Sequence, residues 1–283
     1  MTLPVFERTF GAPSPPGIDA PVAAEWLVAF LRDELIVRRG IDRAVVGLSG
    51  GVDSAVTAFL CARALGPERV YALRLPYRTS HPSSLEDAQL VVEALGIHCA
   101  TIDISPAVDG YLQFEPDADA RRRGNVMART RMVVLFDQSA KRDALPVGTG
   151  NKTERLLGYF TWHADDSPPV NPIGDLFKSQ VWELARYLGV PQRLIEKAPT
   201  ADLQADQTDE ADLGITYARA DAILAQLLLG FSDNQLAQRG FDPAEVALVR
   251  RRVDSTHWKR HLPTTAMVSG TAINEFYLRP VDY

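Results

Sequence analysis

A glycine-rich segment with the sequence Gly-Leu-Ser-Gly-Gly-Val-Asp-Ser, at residues 47–54, leaves few folds open to this chain. An apolar run at residues 44–46 precedes it, and another at residues 55–60 follows it. This order predicts a buried strand, a tight turn and a helix. Adjacent glycines let backbone amides turn toward an anion, and the amino end of a helix favours negative charge. The segment is therefore predicted to hold phosphate.

Strands and helices alternate through the first half of the chain. Apolar strand patterns are followed by helical patterns that end at Gly40, Gly66 and Gly96, and Ser83 with Glu86 forms a capping-box pattern before the last of these helices. Such alternation predicts a parallel sheet, whose ligands bind at the carboxyl ends of the strands beside a topological switch point. From residue 216 the pattern is mostly helical. We predict an α/β fold, a Rossmann-like parallel sheet flanked by helices with a helical C-terminal portion, with strands at residues 43–48, 70–75, 97–102 and 145–147.

Composition limits the class of protein. The chain has 283 residues, 46% hydrophobic and 23% charged, which suits one domain at residues 19–283 behind a Pro- and Gly-rich arm at residues 1–18. A net charge of -6 argues against a general nucleic-acid binder. We expect no membrane span and no signal peptide. Cys61 and Cys99 form no Cys-x-x-Cys pair, so buried reduced thiols in the cytoplasm are expected.

The type of phosphate loop follows partly by exclusion. A Walker A loop needs a lysine after its last glycine; the first loop has none, and the second turn at residues 148–153 has Asn151 in place of that glycine. The spacing Gly-x-Gly-x-x-Gly of dinucleotide-binding folds is also absent. In the remaining pattern Ser49 and Ser54 offer hydroxyl donors, and Asp53 could hold Mg²⁺ against phosphate oxygens. An ordinary turn with a helix cap remains the alternative.

The segment Ser-Gly-Gly-Val-Asp-Ser resembles the loop of N-type ATP pyrophosphatases, which adenylate their substrates and release pyrophosphate. Further segments resemble those of ammonia-dependent NAD synthetases, and the resemblance covers about residues 20–265. These segments are residues 74–77, 124–132, 148–154, 158–161, 171–176 and 178, 199–203, 207–210 and 259–260. The resemblance implies an adenine nucleotide α-hydrolase-like fold and a ligase that converts deamido-NAD, ATP and ammonia to NAD, AMP and pyrophosphate.

The resemblance also implies roles for individual residues. Asp53 and Glu154 match the magnesium ligands of the family, and Asp53, Lys178 and Asp165 match positions at the reacting groups. From the sequence alone, Glu154 could equally be a partner of a helix dipole, Lys178 a solvated helix residue and Asp165 a solvated loop residue. The matches to the family's ATP contacts are Gly47, Leu48, Ser49, Gly50, Gly51, Val52, Asp53, Ser54, Arg74, Thr149, Lys178 and Thr200.

Two positions on the substrate side differ from a well-known bacterial branch of the family. Trp162 stands where that branch has lysine, and Trp258 where it has histidine. A tryptophan can stack on a base but cannot neutralise a phosphate, although local packing is the plainer explanation. The expected substrate-binding residues are Arg129, Trp162, Asp165, Trp258 and Lys259, with Asp212 near the reacting amide. The resemblance further implies a homodimer built on the helix that carries Arg129.

Three alternatives remain open from the sequence. The same chemistry could act on nicotinate mononucleotide. Another adenylating enzyme of the superfamily, such as a tRNA-modifying enzyme, would need catalytic or zinc-binding cysteines and a basic surface, whereas this chain has two cysteines and a net charge of -6. A non-catalytic nucleotide-binding module could dispense with Asp53, Glu154 and Lys178, which are all present. The acidic stretch at residues 203–212 is expected to be a mobile loop over the site.

Overall fold

A parallel sheet lies at the centre of the computed structural model, which describes residues 14–200 and 208–261 together with residues 266 and 268. Within these residues the sheet has four strands in the order β3-β2-β1-β4, and all three pairings are parallel. The order reverses between β1 and β4, so the topological switch point lies at their carboxyl ends. The strands are β1 (Ala44–Gly47), β2 (Val70–Arg74), β3 (His98–Thr101) and β4 (Leu145–Pro146).

Helices cover both faces of the sheet. Ala44 and Val46 of β1 pack into one apolar cluster with the first two helices, while Val45 points the other way, toward Leu135 of the long fifth helix. Burial of both faces explains why β1 reads as a continuous apolar run. The helices of this part are α1 (Ala20–Arg32), α2 (Val52–Leu65), α3 (Pro82–Leu95), α4 (Ser105–Leu112), α5 (Ala120–Ala140), α6 (Lys152–Leu157), α7 (Lys178–Leu188) and α8 (Gln192–Glu196).

The C-terminal helices form a second apolar core. Tyr217, Ile223 and Val249 are fully or almost fully buried there, and Leu157 of α6 joins them. This core therefore supports α6, which begins at the carboxyl end of β4. The helices are α9 (Asp209–Leu213), α10 (Tyr217–Leu228), α11 (Asp233–Gln238) and α12 (Pro243–Thr256).

The predicted fold class is confirmed, and two local predictions are wrong. Helix α3 begins at Pro82 with His81 as its cap, not at Ser83, because proline fits the first helical position. The described part of the acidic stretch is not a mobile loop, since residues 209–213 form α9; residues 201–207 lie outside the described residues.

The structure tests three further expectations, which concern the cysteines, the N-terminal arm and membrane-spanning helices. Cys61 is buried, and burial raises the pKa of its thiol to about 12, but Cys99 is only half-buried. The end of the N-terminal arm docks on α7, where Gln180 Nε2 donates to the Gly17 carbonyl at 3.1 Å, whereas residues 1–13 lie outside the described part. In the described residues no helix is long and apolar enough to cross a membrane. The division into one domain stays a prediction.

Candidate active site

The glycine-rich loop joins β1 to α2 and holds its own shape. The hydroxyl of Ser54 donates to the Gly51 carbonyl at 2.9 Å, and the backbone N–H of Ser49 donates to that same Ser54 oxygen at 3.3 Å. Gly50 has a φ of +78°, and a Cβ there would lie 2.4 Å from the Ser84 carbonyl oxygen, so the position requires glycine. No described side chain caps the amino end of α2. Its first amides therefore remain available to an anion.

The second turn joins β4 to α6 and is tied to the first by Asn151. Asn151 caps α6: its Oδ1 accepts from the N–H of Glu154 at 2.9 Å, and Glu154 Oε2 accepts from the N–H of Asn151 at 3.2 Å. The same amide side chain donates from Nδ2 to Asp53 Oδ1 at 2.9 Å. Asn151 is fully buried. The capping box of α6 thus fixes the distance between the carboxylates of Asp53 and Glu154.

A buried lysine lies between these carboxylates. Lys178, the first residue of α7, has a side chain that is only 3% exposed. Its ammonium forms an ion pair with Asp53 Oδ2 and lies 3.6 Å from Glu154 Oε1. It also lies 5.0 Å from the ring centroid of Tyr217. The amino ends of α2, α6 and α7 therefore bring Asp53, Glu154 and Lys178 into one cluster.

The cluster carries more negative charge than Lys178 neutralises. Burial, and next the charge of Asp53, raise the pKa of Glu154 to about 8. Burial also raises the pKa of Asp209, which accepts hydrogen bonds from the hydroxyls of Tyr217 at 2.9 Å and Tyr159 at 3.1 Å. Burial alone would lower the pKa of Lys178, but the neighbouring carboxylates raise it. The arrangement therefore favours an added cation.

The donor set is suited to Mg²⁺ held together with phosphate. The described residues contain no group of three or more His, Cys, Asp and Glu side chains placed to hold a metal ion. Mg²⁺ instead commonly takes one or two carboxylates and completes its shell with phosphate oxygens and water. Asp53 and Glu154 fit that requirement because both line the cavity described next.

A cavity of about 340 Å³ lies at the carboxyl ends of β1 and β4. It collects most of the predicted ATP residues, both predicted metal ligands and Asp165. The predicted residues that line it are Gly47, Leu48, Ser49, Gly51, Val52, Asp53, Ser54, Thr149, Glu154, Asp165, Lys178 and Thr200. The predicted residues outside its lining are Gly50, Arg74, Arg129, Trp162, Trp258 and Lys259.

Arg74 is engaged away from the cavity. At the carboxyl end of β2, its Nη1 donates to Gln89 Oε1 at 2.8 Å and its Nε donates to Thr101 Oγ1 at 2.9 Å. A contact between Arg74 and AMP would require these bonds to be exchanged, and it stays a prediction.

The remaining predicted substrate residues gather beside the cavity wall at residues 158–166. Arg129 donates from Nη2 to the Trp162 carbonyl at 3.1 Å, and the rings of Trp162 and Trp258 meet edge to face with centroids 5.2 Å apart. The ammonium of Lys259 donates to the carbonyls of Gly158, at 2.7 Å, and Phe160. Lys259 thus clamps this wall, and burial lowers its pKa.

The two acidic residues expected near the reacting amide differ in position. Asp165 lies on the cavity wall and accepts from the N–H of Thr161 at 2.7 Å, and desolvation by the surrounding protein raises its pKa. Asp212 lies outside the cavity lining, where it accepts from the Tyr159 hydroxyl at 2.8 Å.

Known proteins match this chain over most of its length. The family model described as NAD synthase matches residues 23–263. The chain belongs to the NAD synthase family. Among its relatives, the NH(3)-dependent NAD(+) synthetase of Trichlorobacter lovleyi is 48% identical over 267 residues, which cover 94% of this chain and 97% of that protein.

Two solved structures share the fold of this chain. The NMN synthetase from Francisella tularensis aligns with a TM-score of 0.78 and 32% identity, over 88% of this chain and 99% of that one. The NH3-dependent NAD synthetase from Campylobacter jejuni, solved in complex with a nitrate ion, aligns with a TM-score of 0.76 and 31% identity, over 88% of this chain and 100% of that one. The matches therefore extend across both loops and the cavity.

Three residues of the site lie in segments that resemble the family but receive no individual role from the sequence. Asn151 joins the two loops, Asp209 adds a third carboxylate to the cluster, and Arg131 lines the cavity while its Nε donates to the Leu75 carbonyl at 3.0 Å. A signal existed for Asn151, because an asparagine three positions before Glu154 is a capping-box pattern.

Proposed function

We propose that this chain amidates deamido-NAD with ammonia, using ATP and releasing NAD, AMP and pyrophosphate. Membership of the NAD synthase family and the 48% identical relative named NH(3)-dependent NAD(+) synthetase support the reaction. The observation that carries the proposal is the convergence of the glycine-rich loop, Asp53, Glu154 and Lys178 on one cavity.

In the first step an oxygen of the nicotinate carboxylate attacks the α-phosphorus of ATP. The bond from that phosphorus to the bridging oxygen breaks, and pyrophosphate leaves. Two anions must approach each other, so positive charge and amide dipoles lower the barrier most. The uncapped amides of α2 and the ammonium of Lys178 are the groups that we assign to this work.

Asp53 and Glu154 are the residues that would hold Mg²⁺ in this site. When bound, the ion would neutralise phosphate charge as pyrophosphate forms. The cluster supports this assignment because Lys178 is the cation that faces Asp53, Glu154 and Asp209 among the described residues.

In the second step ammonia attacks the acyl carbon and expels AMP, and the nitrogen must lose a proton. We assign acceptance of that proton to Asp165, which lies on the cavity wall. Asp165 is exposed and its carboxylate accepts a hydrogen bond from the N–H of Thr161, so it is accessible to an amine in the cavity.

Arg129, Trp162, Trp258 and Lys259 are proposed to bind the acyl substrate beside the cavity. Trp258 is 50% exposed and its ring meets Trp162, so the pair offers an aromatic surface to a base. Lys259 contributes by holding the wall at Gly158 and Phe160 rather than through a free ammonium.

A second substrate has a specific argument in its favour. The structural neighbour from Francisella tularensis is named an NMN synthetase, and this chain carries Trp162 and Trp258 at its substrate side. Nicotinate mononucleotide is therefore the second candidate, with the same two chemical steps.

A homodimer and a cytoplasmic location are proposed as well. Arg129, Val133 and Phe136 recur at helical spacing on α5, and Val133 is 59% exposed. Burying this face in a second copy would remove apolar surface from water next to Arg129. The two free cysteines are consistent with a reducing compartment.

A product assay tests the proposal. The purified protein is incubated with Mg²⁺, ATP and ammonium chloride, with deamido-NAD in one series and nicotinate mononucleotide in the other. We expect NAD, AMP and pyrophosphate in equal amounts, with a higher kcat/KM for the dinucleotide. A higher kcat/KM for the mononucleotide would select the second candidate, and ADP as the product or no turnover would refute both.

A further inference from the structure

The fully buried carboxylate of Asp221 joins two helices that carry active-site groups. Asp221 lies on α10 and has no exposed surface. Its Oδ1 accepts from the hydroxyl of Thr153 at 2.5 Å, and its Oδ2 accepts from the backbone N–H of Ser179 at 2.8 Å. Thr153 is the second residue of α6, and Ser179 is the second residue of α7. One side chain thus binds the amino ends of both helices.

Thr153 completes the connection from the other side. Its oxygen accepts from the backbone N–H of Lys178 at 2.9 Å while its hydroxyl donates to Asp221. Phe177 occupies the capping position of α7 and offers no side-chain acceptor, although Gln180 Oε1 accepts from the Phe177 N–H at 2.9 Å. The first amides of α7 therefore find their acceptors on α6 and α10.

The neighbours of these anchored residues are Glu154 and Lys178, which we assign to Mg²⁺ and to phosphate. Glu154 follows Thr153, and Lys178 precedes Ser179. Neither Asp221 nor Thr153 lines the described cavity. A shift of α7 against α6 would change the 3.6 Å separation of Lys178 Nζ from Glu154 Oε1 and the ion pair with Asp53.

We infer that Asp221 is a positioning residue, which acts through Thr153 and the amino end of α7 to hold Lys178 against Asp53 and Glu154. The inference rests on the proposed ATP site. Both carboxylate oxygens accept hydrogen bonds, so the ionised carboxylate satisfies both donors. An asparagine keeps the volume but has one acceptor oxygen, which leaves either the Thr153 hydroxyl or the Ser179 N–H without an acceptor.

The test measures binding of ATP with Mg²⁺ by titration calorimetry, alongside kcat and thermal unfolding. Asp221→Asn should weaken ATP binding by about tenfold or more. In a Lys178→Met background the same change should weaken binding less than about threefold, because the residue through which Asp221 acts is gone. Asp242→Asn, which alters a helix-capping carboxylate on α12 outside the cavity, is the control and should bind ATP as the wild type does.

A second pair of variants decides the question even if Asp221→Asn fails to fold. Thr153→Ser keeps the hydroxyl and should bind ATP within about threefold of wild type, whereas Thr153→Val should lose about tenfold or more. Wild-type ATP affinity in Asp221→Asn or Thr153→Val, or an equal loss with and without Lys178, would overturn the inference. Failure of the wild type to make NAD would count against the proposed function alone, since the binding comparison needs no turnover.

Discussion

At the scale of single residues, the cluster of Asp53, Glu154 and Lys178 is the feature on which activity should depend most. Asp53 receives a hydrogen bond from Asn151 and an ion pair from a lysine with almost no exposed surface. Each of these contacts comes from a different loop or helix. A change of charge at any member should therefore disturb the others.

Asp53→Asn should lower kcat by roughly 10²–10³-fold, because it removes a carboxylate proposed to hold Mg²⁺ and to pair with Lys178. Steady-state assays at saturating ATP would measure the loss. Asp19→Asn, at the exposed cap of α1, makes the same chemical change away from the cavity and should retain activity. Activity of Asp53→Asn within about tenfold of wild type would contradict the assigned role.

Glu154 should make the stability of the metal-free protein depend on pH. Its pKa is raised from 4.5 to about 8 by folding, so the folded state binds more protons between these values. Stability from this group is complete below pH 4.5 and is lost as pH rises through 8, with a slope of at most about 1.4 kcal/mol per pH unit. Urea unfolding in a chelator should show this decline, and Glu154→Gln should remove it.

A matched variant controls for the loss of any glutamate. Glu25→Gln, on the exposed side of α1, should keep the decline of the wild type. An unchanged decline in Glu154→Gln would mean that another group is responsible.

The sequence predicts the residues whose role follows from their position after a strand, and it misses those that act across the fold. Asp53 and Glu154 follow strand-to-turn patterns, the family resemblance implies the roles of Glu154 and Lys178, and the structure brings all three residues together. Asn151 contacts Asp53 across 98 positions, and Asp221 contacts Thr153 across 68. Such pairs depend on tertiary packing, which no local pattern specifies.

At the scale of elements, the loop between β1 and α2 depends on its close approach to α3. Gly50 combines a left-handed φ with the Ser84 carbonyl at a distance that no Cβ tolerates. Both are backbone features, so a side chain cannot simply move aside.

Gly50→Ala should destabilise the protein by about 1 kcal/mol or more beyond the effect of Gly40→Ala, since both residues have positive φ but only Gly50 meets a neighbour. The change should also lower kcat/KM, because the loop would move from the cavity. Chemical unfolding and steady-state kinetics measure the two effects. Equal stabilities of the two variants would show that the contact with Ser84 is unimportant.

The acidic stretch shows where element prediction from sequence fails. Asp209, Glu210 and Asp212 read as a solvated loop, yet all three lie in α9, where acidic residues in the first turn suit the helix dipole. Hydrogen bonds from the hydroxyls of Tyr159 and Tyr217 stabilise the buried carboxylate of Asp209. Tyr159 lies 50 positions from Asp209, and Tyr217 lies eight positions away on the next helix, so composition alone gives the wrong answer.

At the scale of the whole molecule, the reversal of strand order between β1 and β4 places both loops at one crevice. The parallel direction of the strands follows from the alternation of strands and helices in the sequence, whereas the strand order comes from the structure. The packing of the C-terminal helices under α6 does not follow from that alternation, because their apolar faces could have covered other surfaces. The proposed assembly of two copies likewise depends on surfaces rather than on local pattern.

Val133→Asp should convert the proposed homodimer to a monomer, because a charge on the exposed apolar face of α5 would have to be buried. Sedimentation velocity measures the change. Val37→Asp alters a valine that is 74% exposed outside this face and should leave the dimer intact. A wild-type monomer, or a Val133→Asp variant that still dimerises, would contradict the proposed interface.

Oxygen transfer is the most direct test of whether this cavity adenylates a nicotinate carboxylate. Deamido-NAD carrying ¹⁸O in its nicotinate carboxylate is converted with Mg²⁺, ATP and ammonium, and the products are examined by mass spectrometry. Attack on the α-phosphorus predicts that one ¹⁸O appears in AMP and none in pyrophosphate. Unlabelled AMP, or ¹⁸O in pyrophosphate or phosphate, would show that the carboxylate does not attack the α-phosphorus.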